Sequence, residues 1–284
     1  MYNLTSPKVV AELLQKNNIK ISKKFGQNFL IDRNIMNKIT DAANLKPSDL
    51  VVEIGTGIGT LTVELAKLAE KVLTFEIDKN LMPLLSETLS MYSNVELIYG
   101  DILKQDLREL VNRYFGEADF KVVANVPYYI STPIVMLFLE SRLNLSRMVL
   151  LVQKEVAQRM VASPGSEEFG ALSLAVQYRM SPKIEAFVPP AVFMPVPEVD
   201  SAIIVLERRT EPIVKVNDER LMFEVIRAAF AQRRKKLSNA LAAISPNGKT
   251  KAEILSILDI CGIDLGRRGE TLTLEEFARI ADKL

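Results

Sequence analysis

The sequence predicts an α/β protein in which a mostly parallel sheet precedes a smaller, all-helical C-terminal domain. From residue 50 to about 152, short apolar segments typical of strands alternate with segments of helical periodicity. After about residue 216, helical periodicity continues alone to the C-terminus. The composition is 48% hydrophobic, which is sufficient for a large core in a chain of 284 residues.

The N-terminal elements are predicted to be two helices separated by a loop. SPKVVAELLQKN is typical of a helix with Ser6 as its cap and Pro7 in its first turn. KKFGQNFLID is predicted to be a loop ending at Asp32, which caps a second helix that reaches about Asn44. The strands that follow are LVVEI, KVLTFEI, NVELIY, FKVVAN and SRMVLLV, with helices such as IGTLTVELAKL and NLMPLLSETL between them.

Two late strands and four helices complete the prediction. KIEAFV and SAIIVLER flank a proline-rich loop, PPAVFMPVPEVDS, and a linker at about 208–216 divides the chain into domains 1–207 and 208–284. The C-terminal helices are DERLMFEVIRAAF, AQRRKKLSNALAAI, TKAEILSILDI and TLEEFARIADKL. The second of them carries four successive cations, which suit RNA phosphates as well as a solvated helix face: Arg233, Arg234, Lys235 and Lys236.

The residue types that the chain lacks restrict its chemistry. It has no histidine, which excludes histidine-based acid–base catalysis and most transition-metal sites, so no metal is expected. Cys261 is the single cysteine, which excludes an internal disulfide. No apolar run approaches the roughly 18 residues of a membrane helix. We therefore expect a cytoplasmic protein with no membrane partner.

Three consecutive strand ends carry features that suit a nucleotide-like cofactor. Gly55 and Gly57 follow the first strand, where glycines let the backbone approach a ligand at a helix N-terminus. Glu76 ends the second strand and can accept hydrogen bonds from ribose hydroxyls, and Asp101 follows the third strand and can accept one from an adenine amino group. The loop has no phosphate-binding lysine. S-adenosylmethionine is therefore the predicted cofactor, and the predicted site also includes the neighbouring Ile77 and Ile102.

The fourth strand ends in NVPYY, an amide, a proline and two phenols. Hydrogen bonds from an exocyclic amino group to Asn125 and to a carbonyl near Pro127 would localise the nitrogen lone pair for attack, while Tyr128 stacks on the base. No general base is required, because the amine becomes far more acidic once it is methylated. We predict these three residues to be catalytic, with Asn125 also contacting the cofactor.

The chain resembles the KsgA-type ribosomal RNA adenine N6-dimethyltransferases, which are relatives of the Erm methyltransferases. The resemblance is carried by KKFGQNFLID, EIGTGIGTLT, FEID, GDIL, NVPYYIST, QKEVAQRM, FMPVPEVDSAI and FAQRRKKLSNAL, which span nearly the whole chain. The Asn-x-Pro-Tyr motif is specific to amino-group methylation, whereas the glycine loop is shared by many methyltransferases. Thr56 stands where many relatives carry proline, a departure that does not threaten cofactor binding.

The resemblance implies a Rossmann-like, S-adenosylmethionine-dependent methyltransferase domain and a helical RNA-binding domain. It implies that Asn28 and Leu30 contact the cofactor and that the basic cluster binds RNA. It also implies that Phe193 stacks on the target adenine opposite Tyr128. From spacing alone, a core aromatic behind the proline-rich loop is nearly as good an interpretation of Phe193.

The implied reaction is dimethylation of N6 of two adjacent adenosines in a hairpin loop near the 3′ end of 16S rRNA, in the small ribosomal subunit and as part of its biogenesis. We expect a monomer. Two alternatives remain open: an Erm-type enzyme acting on 23S rRNA, and a ribosome-assembly factor acting mainly by binding RNA. The intact Asn125, Pro127 and Tyr128 argue against a purely non-catalytic binder.

Overall fold

The structure, a computed structural model, describes residues 2–22, 25–231 and 235–284. The strands are β1 (Phe29–Leu30), β2 (Leu50–Ile54), β3 (Lys71–Glu76), β4 (Val95–Tyr99), β5 (Phe120–Asn125), β6 (Leu145–Gln153), β7 (Met180–Val188), β8 (Phe193–Met194) and β9 (Ser201–Arg208). The helices are α1 (Pro7–Lys16), α2 (Arg33–Ala43), α3 (Thr60–Leu68), α4 (Met82–Thr88), α5 (Leu107–Phe115), α6 (Ser131–Ser141), α7 (Lys154–Val161), α8 (Ala171–Arg179), α9 (Glu219–Ala231), α10 (Leu237–Ile244), α11 (Lys251–Ile260) and α12 (Leu274–Ala281).

A seven-stranded sheet of order β4-β3-β2-β5-β6-β9-β7 confirms the predicted α/β class. The strands β4, β3, β2, β5 and β6 pair in parallel, and β9 runs antiparallel to β6. Their carboxyl ends therefore lie along one edge, and the chain order reverses between β2 and β5, where such folds bind ligands. Within the described part of the chain, no helix is both long and apolar enough to span a membrane.

A second, two-stranded sheet was not predicted. Phe29 pairs with Met194 and Leu30 with Phe193 in antiparallel β1 and β8, which fall in segments that the sequence predicted as loops. Two residues are too few for a period-two pattern, so the pairing has no signature in the sequence. It joins the FGQNFL segment to the proline-rich segment.

The chain divides into two units, Met1–Ala157 with Pro182–Arg208, and Gln158–Ser181 with Arg209–Leu284. The domain prediction put residues 158–181 in the first domain. In the structure their apolar side chains pack with the C-terminal helices, since the Phe169 ring lies 6.1 Å from that of Phe230, and the Tyr178 ring lies 5.4 Å from that of Phe223. Such a grouping depends on distant partners and leaves no mark in local periodicity.

The C-terminal unit contains α8–α12, but the predicted helix AQRRKKLSNALAAI does not form as one helix. Helix α10 begins at Leu237, whose backbone N–H donates to the carbonyl of Arg267 (2.9 Å), and Lys236 before it has an extended backbone. Lys235 and Lys236 therefore precede the helix, and both are exposed. Arg233 and Arg234 lie outside the described residues.

Candidate active site

A pocket of about 720 Å³, open to solvent, lies at the carboxyl edge of the sheet. It collects residues from the ends of β2, β3 and β5, the segment after β4, and the segment 25–29. Ten predicted cofactor or catalytic residues line it: Asn28, Gly55, Gly57, Glu76, Ile77, Asp101, Ile102, Asn125, Pro127 and Tyr128. These residues come from segments far apart in the chain and meet because parallel strands end at the same edge.

The glycine loop after β2 has backbone conformations that favour glycine, and at Gly57 it also has little room for a side chain. Gly55 and Gly57 have φ angles of 80° and 57°. A Cβ atom on Gly57 would lie 3.3 Å from the Phe29 ring, and one on Gly55 would lie 3.5 Å from Pro127. The loop therefore packs between β1 and the turn that follows β5, and its bare backbone leaves the pocket open.

Glu76 lines the pocket and accepts hydrogen bonds from the backbone around it. It is only 4% exposed, and its two carboxylate oxygens accept hydrogen bonds from the backbone N–H groups of Gly57 and Asp78, both at 2.8 Å. Burial raises the pKa of Glu76, while these backbone hydrogen bonds oppose the rise. Each carboxylate oxygen can accept a further hydrogen bond, so the group can bind hydroxyls in the pocket while holding the glycine loop.

The segment 25–28 is tied to the strand ends by side chains. The Asn125 side-chain amide donates to the backbone carbonyl of Asn28 (3.0 Å), and the Gln27 amide donates to the Asp78 carboxylate (2.8 Å). Gln27 was missed by the sequence analysis. Its only signal is its position inside the FGQN segment.

Asp101 and the NVPYY turn present further acceptors and rings to the pocket. One oxygen of Asp101 accepts from the backbone N–H of Leu103 (3.1 Å), and the other lies 4.0 Å from the Lys104 ammonium, too far for a hydrogen bond, so it can still accept one from a ligand. The Tyr128 hydroxyl and the Ser201 hydroxyl are 2.5 Å apart, so the half-buried phenol is held in place. Tyr129, whose place in the pocket was also missed, is 55% exposed, lines the pocket and lies against Gly26.

Two predicted contact residues lie outside the pocket. Leu30 and Phe193, paired across β1 and β8, are 3% and 1% exposed and pack in one hydrophobic cluster with Ile35 and Val188. Successive strand residues face opposite sides, so Phe29, itself only 5% exposed, lines the pocket and packs in a second hydrophobic cluster, while Leu30 packs in the cluster of Phe193. The Phe193 ring is buried in this structure, as the core aromatic that its spacing also allowed would be, and its stacking on the target adenine stays a prediction.

A buried carboxyl group lies beneath the glycine loop and was not anticipated. Glu53, the fourth residue of β2, accepts hydrogen bonds through Oε2 from the hydroxyls of Thr62 (2.7 Å) and Thr74 (2.8 Å). Because the Thr74 hydrogen is donated to Glu53, the Thr56 hydroxyl, 2.7 Å away, donates to Thr74. Burial raises the pKa of Glu53 to about 8, and the charge of Glu76 adds to the rise. Thr56, the departure from the family motif, thus connects the loop to Glu53.

Glu53→Gln is expected to become progressively more stable than the wild type as the pH rises from about 5 to 8. The unfolded chain releases the Glu53 proton near pH 4.5, as an ordinary glutamate does, whereas the folded chain, with its raised pKa, keeps the proton to about pH 8. The stability linked to this raised pKa is fully present below about pH 4.5 and declines above it, by up to about 1.4 kcal/mol per pH unit. Urea unfolding at several pH values measures the difference. Exposed Glu140→Gln is the control, and equal pH dependence in wild type and Glu53→Gln would contradict the expectation.

Solved structures with the same fold place this molecule in a class. It resembles a dimethyladenosine transferase from Plasmodium falciparum, with 28% identity, a TM-score of 0.72, and coverage of 88% of this chain and 94% of that one. It also resembles the 23S rRNA methyltransferase ErmE, with 28% identity, a TM-score of 0.67, and coverage of 90% and 99%. The fold and the pocket at its strand ends define a Rossmann-like methyltransferase.

The family follows from the sequence matches. The model of the ribosomal RNA adenine dimethylase family matches residues 4–281, so the chain belongs to this family. Proteins named ribosomal RNA small subunit methyltransferase A are 47% identical in Alkaliphilus oremlandii (100% of this chain, 99% of that protein) and 48% identical in Geobacillus sp. (99% and 98%). The predicted family and enzyme class are confirmed.

Proposed function

We propose that the protein transfers methyl groups from S-adenosylmethionine to N6 of two adjacent adenosines in a hairpin loop near the 3′ end of 16S rRNA. It acts as a monomer in the cytoplasm, on the small ribosomal subunit, during subunit biogenesis. The observation that carries the proposal is the Asn-x-Pro-Tyr turn at the end of β5, which borders the pocket. The names of the relatives, which specify the small subunit, support the choice of RNA.

The pocket residues fit the proposed cofactor. Glu76 would hold the ribose hydroxyls, Asp101 the adenine amino group, and the bare backbone at Gly55 and Gly57 admits a ligand at close range. Asn28, which lines the pocket, would contact the methionine part of the cofactor. When bound, S-adenosylmethionine supplies an electrophilic methyl group on a sulfonium.

The protein's own groups orient the target amine. The Asn125 amide donates to the Asn28 carbonyl through Nδ2, which directs its oxygen, an acceptor, away from that contact. This oxygen and a carbonyl near Pro127 would accept the two N–H hydrogens of the adenine amino group and concentrate the lone pair on N6. Tyr128, held by Ser201, would stack on the base. Catalysis then consists of orientation and electrostatic stabilisation.

Lys235→Gln/Lys236→Gln is expected to weaken RNA binding in a salt-dependent way. Both side chains are exposed, so each can neutralise a phosphate. The slope of log affinity against log salt concentration should flatten by about 0.7–0.9 for each lost contact, while cofactor affinity stays unchanged. RNA binding over a salt series is the measurement, with the exposed pair Lys215→Gln/Lys251→Gln as a control of equal charge. Equal slopes in the two double variants would assign both lysines to a solvated surface.

The proposed function is tested by mapping methylated adenines. The wild-type protein is incubated with labelled S-adenosylmethionine and with either immature small subunits or large-subunit RNA. The modified positions are then located by primer extension. Two adjacent dimethylated adenosines in 16S rRNA are expected. Modification of 23S rRNA alone would favour the ErmE-like alternative, which the structural resemblance keeps open. RNA binding with no methylation of either RNA would favour an assembly factor.

A further inference from the structure

An exposed aromatic side chain, Phe187, lies near the candidate active site without a role in the proposed reaction. It is the penultimate residue of β7 and is 55% exposed. The neighbouring β9 begins at Ser201, at the same edge of the sheet as the pocket, because Ser201 pairs with Gln153 at the carboxyl end of β6. An exposed phenylalanine beside a substrate site is a candidate contact for the substrate.

A short series of contacts connects Phe187 to the pocket. The Lys154 ammonium lies 5.2 Å from the centre of the Phe187 ring. Lys154 directly follows Gln153, which pairs with Ser201, and the Ser201 hydroxyl contacts the hydroxyl of Tyr128. Phe187 and Lys154 therefore lie at the same edge of the sheet as the ring proposed to stack on the target adenine, with Gln153 and Ser201 between them and that ring.

The cation beside the Phe187 ring favours a nucleic acid over an apolar partner. The Lys154 ammonium is 3.7 Å from the Asp200 carboxylate, and both side chains are about half exposed. An exposed ion pair of this kind is weak, so a phosphate can take the place of Asp200 beside the lysine. A flat ring next to a cation is the combination with which proteins bind single-stranded RNA, because the base stacks and the phosphate is neutralised.

We propose that Phe187 and Lys154 form a subsite for a nucleotide that flanks the target adenosine. Phe187 stacks on the base of this nucleotide, and Lys154 contacts its phosphate. The subsite rests on the proposed function, since it requires an RNA strand that enters the pocket. It holds the strand and takes no part in methyl transfer, so its loss weakens RNA binding and leaves the chemical step unchanged.

Phe187→Ala is expected to raise the KM for small-subunit RNA by about 5- to 100-fold, with kcat and cofactor affinity unchanged. Phe187→Tyr keeps the ring and should stay near wild type. Lys154→Gln should flatten the salt slope of RNA binding by about 0.7. The control is Leu68→Ala, an exposed residue at the end of α3 and thus at the opposite edge of the sheet, which should leave KM unchanged.

The outcomes separate the subsite from the proposed function. If the wild-type protein methylates the RNA and Phe187→Ala has an unchanged KM, the subsite alone is overturned. A lower kcat or a lower cofactor affinity in Phe187→Ala would also overturn it, as would an equal rise of KM in Leu68→Ala. A wild-type protein that does not methylate the RNA would overturn the proposed function and the subsite with it. Loss in Phe187→Ala with recovery in Phe187→Tyr would support stacking.

Discussion

Asn125→Ala is expected to lower the single-turnover rate of methyl transfer by about 10²–10³-fold at saturating cofactor and RNA. The variant removes the amide oxygen proposed to accept a hydrogen from the target amine, so the lone pair on N6 stays delocalised in the ring. It also removes the hydrogen bond to the Asn28 carbonyl (3.0 Å), so a smaller loss of cofactor affinity should accompany the loss of rate.

Two further variants define what the amide at this position does. Asn125→Asp keeps an acceptor oxygen but places a second, charged oxygen against the Asn28 carbonyl oxygen, which repels it, so it should lose affinity for the cofactor more than Asn125→Ala does. Asn112→Ala, an exposed asparagine on α5, is the matched control and should react at the wild-type rate. A near-normal single-turnover rate in Asn125→Ala would exclude the amide from activating the target nitrogen.

Glu76→Ala is expected to lower the affinity for S-adenosylmethionine by about 10- to 100-fold, which corresponds to about 1.5–3 kcal/mol for hydrogen bonds to a charged group. The structure adds a second effect, because the carboxylate also accepts from Gly57 and Asp78. Leaving the buried Asp78 N–H without this acceptor costs about 1–3 kcal/mol, and the part-buried Gly57 N–H adds less because it can reach solvent in the pocket. The free energy of unfolding should therefore fall together with the affinity.

Calorimetric titration and urea unfolding measure the two effects of Glu76→Ala separately. Glu76→Gln keeps the side-chain volume and one acceptor oxygen, so it should be more stable than Glu76→Ala and still bind the cofactor weakly. Exposed Glu140→Ala serves as the control for both measurements. Wild-type affinity in folded Glu76→Ala would remove the carboxylate from the cofactor site.

Much of the site could be predicted because its features lie at strand ends. Gly55, Glu76, Asp101 and Asn125 each follow an apolar segment, and parallel strands bring such ends to one edge whatever the details of packing. Gln27 and Tyr129 were missed because they reach the pocket from a loop and a turn, where their neighbours in sequence do not indicate direction.

The amino-acid sequence by itself determined the α/β class, the family and the strand ends that line the pocket, since these depend on local periodicity and on short motifs. Only the tertiary structure decided which side chains face the pocket and which the core. Phe193 and Leu30 are buried because β1 and β8 pair, and residues 158–181 join the C-terminal unit because their rings pack there. Glu53 has a raised pKa because the folded chain buries it. Strand pairing, side-chain packing and desolvation depend on residues distant in the chain. Local sequence patterns do not indicate which distant residues these are.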